Sequence, residues 1–150
     1  MFDTIRTFLS DLAASEEPEV IVHSHMQLAE AALMYHVIAI DGVIKDRERA
    51  KMIEVLADKF NLDDASSKAL LHDAKTAEAE AVDFYQFTTI LKNALEEEER
   101  ISIIENLWEL VFADGSVHEL EDNFIWRVSG LLGVDAKDRM AQKRKVAQRQ

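Results

Sequence analysis

Asp41-Gly42-Val43-Ile44-Lys45-Asp46-Arg47-Glu48 recurs as Asp114-Gly115-Ser116-Val117-His118-Glu119-Leu120-Glu121. Both copies read Asp-Gly-x-(Ile/Val)-x-acid-x-Glu. Each follows a long apolar stretch and precedes a helical pattern, so the repeated unit is a helix, a sharp turn and a second helix. Asp-Gly breaks the first helix, because glycine adopts a positive φ without steric cost. The acids that follow suit the positive end of the next helix dipole.

Working outward, Met26 to Ile40 is apolar nearly all round, the pattern of a central buried helix. Met52, Ile53, Val55, Leu56 and Phe60 mark the helix after the first turn, and Asn61 is suited to end it. Asp63 or Asp64 can cap a helix carrying Ala69, Leu70 and Leu71; Asp83 can cap one carrying Phe84, Phe87, Ile90, Leu91 and Leu95. A helix from about Glu96 to Phe112 leads into the second turn. Phe124, Ile125, Val128, Leu131 and Leu132 follow it, closed by Gly133, and Asp135 caps a basic terminal helix. Phe2, Ile5, Phe8, Leu9 and Leu12 fall on one face of a first amphipathic helix. Ala13 to Glu19, with Pro18, reads as a linker. No segment alternates with period two. The expected fold is all-α, a bundle of seven or eight helices built from two pseudo-repeated helix hairpins.

The copies align at a spacing of 73 at the turn, pairing Tyr35 with Trp108, Ile38 with Val111 and Ile53 with Trp126. Beyond it Phe60 matches Leu132 and Leu62 matches Val134 at 72. Packing of the hairpins about a pseudo-twofold axis is expected to place the acidic turns in related positions. Both tryptophans are expected on core faces.

A chain of 150 residues is most simply one domain, able to bury roughly 70% of its unfolded surface without metal or disulfide help. It has no cysteine, which removes disulfides, thiolate metal sites and cysteine nucleophiles and suits the cytoplasm. The longest apolar run, Ala29 to Ile40, is interrupted by Glu30 and His36 and is too short to span a bilayer. The start, Met1-Phe2-Asp3-Thr4-Ile5-Arg6, lacks the basic flank and apolar heart of a signal peptide. The net charge of −12 hides an asymmetry: from Ala136 onward there are six basic residues against Asp138. Positions 1–135 are left with 11 basic and 28 acidic residues, a net of −17. Such a body repels nucleic acid and anionic lipid. The basic end can lie on the protein's own acidic face or reach an anionic partner. The expected partition is an amphipathic helix and linker over 1–20, a helical domain over 21–135 and a basic helix or tail over 136–150.

Asp, Gly, Ile/Val and Glu at this spacing match the fifth, sixth, eighth and twelfth positions of an EF-hand loop. The first and third ligand positions would be Val37 and Ala39, or Leu110 and Phe112. Hydrocarbon cannot coordinate calcium, so a standard EF-hand is excluded. Two readings stay open. Asp41, Asp46 and Glu48, or Asp114, Glu119 and Glu121, offer hard oxygen ligands suited to calcium, magnesium or manganese, with His36 and His118 as added nitrogens. Alternatively the repeat is only a joint, with Glu48 and Glu121 bonding free backbone amides at the next helix start, where Lys45 and His118 are poor caps. Elsewhere the chemistry is sparse. His23 and His25 point apart and read as solvated linker. No phosphate-cradling glycine loop or nucleophile elbow is present. A metal-dependent hydrolase is disfavoured, because no nucleophile, base and oxyanion donor can be named together.

At Ala39-Ile40-Asp41-Gly42-Val43-Ile44 with Glu48, and Phe112-Ala113-Asp114-Gly115-Ser116-Val117 with Glu121, the chain resembles the TerB-like family. This is the tellurite-resistance-associated helical domain, related also to a module of some membrane-linked DnaJ-type co-chaperones. The likeness covers about Met26 to Val134; Ile40 departs from the alanine common in the family. The resemblance implies a compact domain of about seven helices with a clustered acidic surface for which metal-ion sensing or binding has been proposed. It points at Asp41, Glu48, Asp114 and Glu121, and implies no established enzymatic activity. The expected function is therefore a non-enzymatic, cytoplasmic stress- or metal-response module, acting through its acidic surface on a divalent cation, a protein partner or both. The alternative is a protein-interaction domain with purely structural turns, engaging its partner through the first helix or the basic tail. Neither nucleic acid nor stable membrane insertion is expected; a homo-oligomer is left open.

Overall fold

The computed structural model describes residues 18–149, which form seven α-helices and no strand among them. They are α1 (Pro18–Ala39), α2 (Asp46–Phe60), α3 (Asp64–Glu80), α4 (Tyr85–Ala94), α5 (Glu97–Phe112), α6 (Glu119–Leu132) and α7 (Ala136–Ala147). The amphipathic helix expected over the first dozen residues lies outside the described residues. Pro18, expected in the linker, is instead the first residue of α1, where its missing N–H removes no helical hydrogen bond. His25, expected on a solvated linker, is consequently inside that helix and buried.

α1 is the central element, as its all-round apolar surface requires. Ala29, Ala31, Ala32, Leu33, Met34 and Val37 are buried, and the helix packs on α2, α3, α4 and α5. Its most extensive contact is with α3, whose inward residues are small (Ser67, Ala74 and Ala77), so the two backbones can approach closely. α5 packs most extensively on α7. One core joins these layers, with Trp108, Phe87 and Phe124 its largest fully buried side chains.

The backbone recurs where the sequence does. Gly42 and Gly115 have φ of 86° and 84°. Lys45 and His118, the residues before α2 and α6, have φ/ψ of −83°/153° and −86°/152°. Asn61 and Gly133 end those helices in the left-handed region at φ 54° and 74°. Asp63 and Asp135 then cap α3 and α7, accepting hydrogen bonds from the backbone amides of Ser66 and Asp138. Similar local backbone angles and caps therefore appear at both turns and at the helix ends and starts that follow them.

The matched apolar faces hold at Trp108, which is fully buried, and fail at Trp126, which is 57% exposed. α6 turns Phe124, Ile125 and Val128 inward, leaving Trp126 on its outer flank. The basic α7 lies on the protein's own acidic surface. Val146 is fully buried, Lys143 reaches Asp122 at 3.2 Å, Lys145 reaches Glu105 at 3.4 Å, and Arg149 pairs with Glu105 and Glu109. The Trp108 indole N–H donates to the Arg139 carbonyl at 3.3 Å.

Candidate functional site: the joined turns and an aromatic groove

The two Asp-Gly turns meet. The Lys45 ammonium of the first donates to both carboxylate oxygens of Asp114 in the second, at 2.9 and 2.8 Å. Arg47 adds a contact of 2.7 Å to Asp114, and the His118 ring lies 3.9 Å from it. The Asp114 side chain is only 8% exposed. The hydrogen bond from Lys45 holds the Asp114 carboxyl below its ordinary range, with the charges of Lys45, Arg47 and His118 acting in the same direction. The same bond raises the Lys45 ammonium above its ordinary range.

The glutamates do what a helix start requires. Glu48 accepts from the Lys45 backbone amide and Glu121 from the His118 backbone amide, each at 2.9 Å. Both are buried. Lysine has no acceptor to return the bond, so at Lys45 this is half of a capping box. Burial raises the Glu121 carboxyl above its ordinary range, opposed by the His118 amide and reinforced by the negative charges of Glu48 and Asp41. Asp41 accepts from the Val43 amide at 3.0 Å, bracing its own turn. Asp46 and Glu119 are exposed and open α2 and α6.

Of the six expected ligands, Asp41, Glu48, Asp114 and Glu121 are held about the joined turns but engaged separately. Asp114 is saturated by cations of the chain itself, and Glu48, Glu121 and Asp41 each give an oxygen to a backbone amide. Among the described residues no three His, Asp or Glu side chains form a group able to hold a metal ion. His36 faces elsewhere: its Nδ1 lies 2.9 Å from Glu78, and its ring packs on Phe84 and Phe124. Lys45 and Arg47 are the residues of the joint whose pairing with Asp114 motif reading missed. Their signal was present, since they put two cations in the first copy where the second has His118 and Leu120.

Residues 27–144 match the family model described as tellurite resistance protein TerB. The chain belongs to the TerB family. No curated protein and no solved structure matches it. In this TerB-family chain no helix among the described residues is long and apolar enough to cross a membrane.

A second feature of the TerB-family chain lies away from the turns. A groove of about 700 Å³ runs between the start of α4, the outer flank of α6 and the start of α7. Phe84, Tyr85, Trp126, Leu131 and Val134 supply its apolar wall, and Arg127 and Arg139 line it with positive charge beside the single carboxylate of Asp83. Tyr85 is 60% exposed and Trp126 57%. The Arg127 guanidinium sits 5.0 Å from the Phe84 ring centroid. Neither arginine enters an ion pair among the described residues. The signal for this groove in the sequence was Trp126 itself, which the repeat alignment assigned to the core.

Proposed function

We propose that this TerB-family chain is a non-enzymatic, cytoplasmic interaction module of a stress or metal response, in which the Asp-Gly turns are structural joints and the groove of α4, α6 and α7 is the working surface. The observation that carries this is the pairing of two exposed aromatic rings with two arginines on an otherwise acidic body. Aromatic side chains and arginine dominate binding energy at protein interfaces. The size and apolar lining of the groove are those of binding clefts. Affinity capture from a cell extract tests the reading. Partner recovery should be lost with Trp126→Ala and with Arg127→Glu, and kept when Asp41→Asn and Asp114→Asn are combined. The reverse pattern would overturn it.

A second reading assigns the joined turns a divalent cation: calcium, magnesium or manganese. It is favoured by the repulsion that Glu48 and Asp41 exert on Glu121, which an added cation would relieve. Because Lys45 already satisfies Asp114, such an ion would compete with the ammonium. Calorimetry with each metal on the wild type and on Lys45→Ala separates the two; no heat from either protein at millimolar metal sinks the reading.

A further inference from the structure

We propose that the groove of α4, α6 and α7 receives an acidic amphipathic helix of a partner protein, laid across α6 at Gly130 with its carboxylates on Arg127 and Arg139. This deepens the reading of the groove as the working surface and rests on it.

Three of the four glycines, Gly42, Gly115 and Gly133, stand at positive φ, where a turn or a helix end requires them. Gly130 lies inside α6 and outside that region, and a Cβ there would meet nothing within 4 Å. Neither backbone conformation nor packing among the described residues calls for glycine here, and glycine weakens a helix relative to alanine. Gly130 is exposed and lines the groove, one turn beyond Trp126 on the same flank of α6. A bare backbone at that point lets a second helix approach closely, with its apolar stripe against Trp126, Leu131 and Val134.

Charge selects the sign of the partner. Lys143, Lys145 and Arg149 are already paired with Asp122, Glu105 and Glu109. Arg127 and Arg139 in the groove lining make no such pair among the described residues. The one carboxylate beside them, Asp83, accepts from the Tyr85 amide at 2.8 Å at the start of α4. Two guanidinium groups are left for carboxylates of a partner, and such charge-assisted pairs can be bidentate. A nucleic acid or an anionic membrane fits less well, because it must also face the surrounding body of a chain with net charge −12. A short helix meets the groove alone. The cavity of about 350 Å³ beside α1, α2 and α5 is lined by Glu30, Glu98 and Glu99 against Lys59 and repels the same helix.

Selection on the full chain from a displayed library of random peptides, each about 16 residues long, tests this. Selected sequences should carry apolar residues at i, i+3, i+4 and i+7 flanked by Asp and Glu. Binding of a selected peptide should weaken about tenfold or more with Arg127→Glu and with Gly130→Gln. Gly130→Ala and Gly130→Gln should both melt at or above the wild-type temperature, which separates lost binding from lost folding. A lower melting temperature in both would make Gly130 a requirement of the fold and overturn the proposal. Selected peptides that are basic, that lack the helical spacing, or that bind Gly130→Gln as they bind wild type overturn it too. So does Trp126-dependent binding to phosphatidylglycerol vesicles with no acidic peptide selected, which would make the groove a membrane contact. If no acidic helix is selected while Trp126→Ala still abolishes partner recovery from extract, the groove remains an interaction surface for another chemistry and this inference alone falls. If both fail, the functional reading falls with it.

Discussion

The Lys45 ammonium lies 2.9 and 2.8 Å from the two carboxylate oxygens of Asp114, joining the two turns through residues 69 positions apart in the chain. The bond holds Asp114 protonation below the ordinary value of 3.8 and Lys45 deprotonation above the ordinary value of 10.5. A lowered carboxylate contributes stability above its unfolded pKa and loses it as pH falls through the folded one; a raised lysine contributes below its unfolded pKa and loses it as pH rises through the folded one. The pair therefore stabilises the fold across the whole neutral range. Asp114→Asn should lower the melting temperature at pH 7, with the difference shrinking in acid below the ordinary carboxylate range. Thermal melts across pH would show it, and a pH-independent deficit would rule out the ionic origin.

Glu121 has the opposite sign. Burial lifts its carboxyl above the ordinary 4.5. Folding is then favoured by this group while it stays protonated, and that contribution is lost as pH rises from 4.5 through the raised value. Glu121→Gln keeps an acceptor for the His118 amide but cannot ionise. Relative to wild type, the variant should gain stability as pH rises from about 4 to 7. Denaturant unfolding at several pH values measures this; a constant difference would contradict it.

Gly42 and Gly115 share a positive φ, and a Cβ at either would meet nothing within 4 Å. The cost of Gly42→Ala or Gly115→Ala is therefore backbone strain alone, about 1 kcal/mol in each case. Gly133 differs, because a Cβ there would come 3.2 Å from an Arg100 nitrogen that bonds the Leu132 carbonyl. Urea titration should rank Gly133→Ala as the most damaging of the three. Near-equal losses would show that Arg100 moves aside freely.

The two tryptophans should separate cleanly. Trp108 is fully buried and bonded to the Arg139 carbonyl, so Trp108→Ala should cost about 3–5 kcal/mol. Trp126→Ala should cost less than about 1 kcal/mol, since most of the ring already faces water. A large stability loss at Trp126 would mean that the groove is part of the core and is unsuited to partner exchange.

The contrast between these residues shows where sequence reading works. Apolar periodicity located the helices, and Asn61, Asp63, Gly133 and Asp135 marked ends and starts because capping chemistry is local. The Asp-Gly repeat anticipated related turns. Their meeting through Lys45 and Asp114 was beyond it, because a contact between distant positions depends on packing that no local pattern encodes. Trp126 misled for the same reason: alignment with Ile53 carried over a helical position, while the neighbours that decide burial differ on the two sides. Pro18 concealed the start of α1, since proline signals a break and a first helical residue equally well.

Glu30 and Lys59 show how such a packed contact can be weighed. The Lys59 ammonium lies 2.8 Å from the Glu30 carboxylate and 2.6 Å from the Asn106 side-chain oxygen, tying α1 to α2 and α5. Glu30 is 4% exposed, and burial raises its carboxyl above the ordinary range, with Lys59 opposing that rise and Glu99 adding to it. Removing one member of a buried pair leaves an uncompensated charge, so Lys59→Met should cost roughly 3 kcal/mol. The deficit should grow as pH rises, because the orphaned carboxyl must give up its proton in an apolar setting. Combining Lys59→Met with Glu30→Leu removes both charges and should restore stability to within about 1 kcal/mol of wild type. A double-mutant cycle in urea measures the coupling. Additive losses would show that the two side chains act independently and that the contact does not hold α1 to α2.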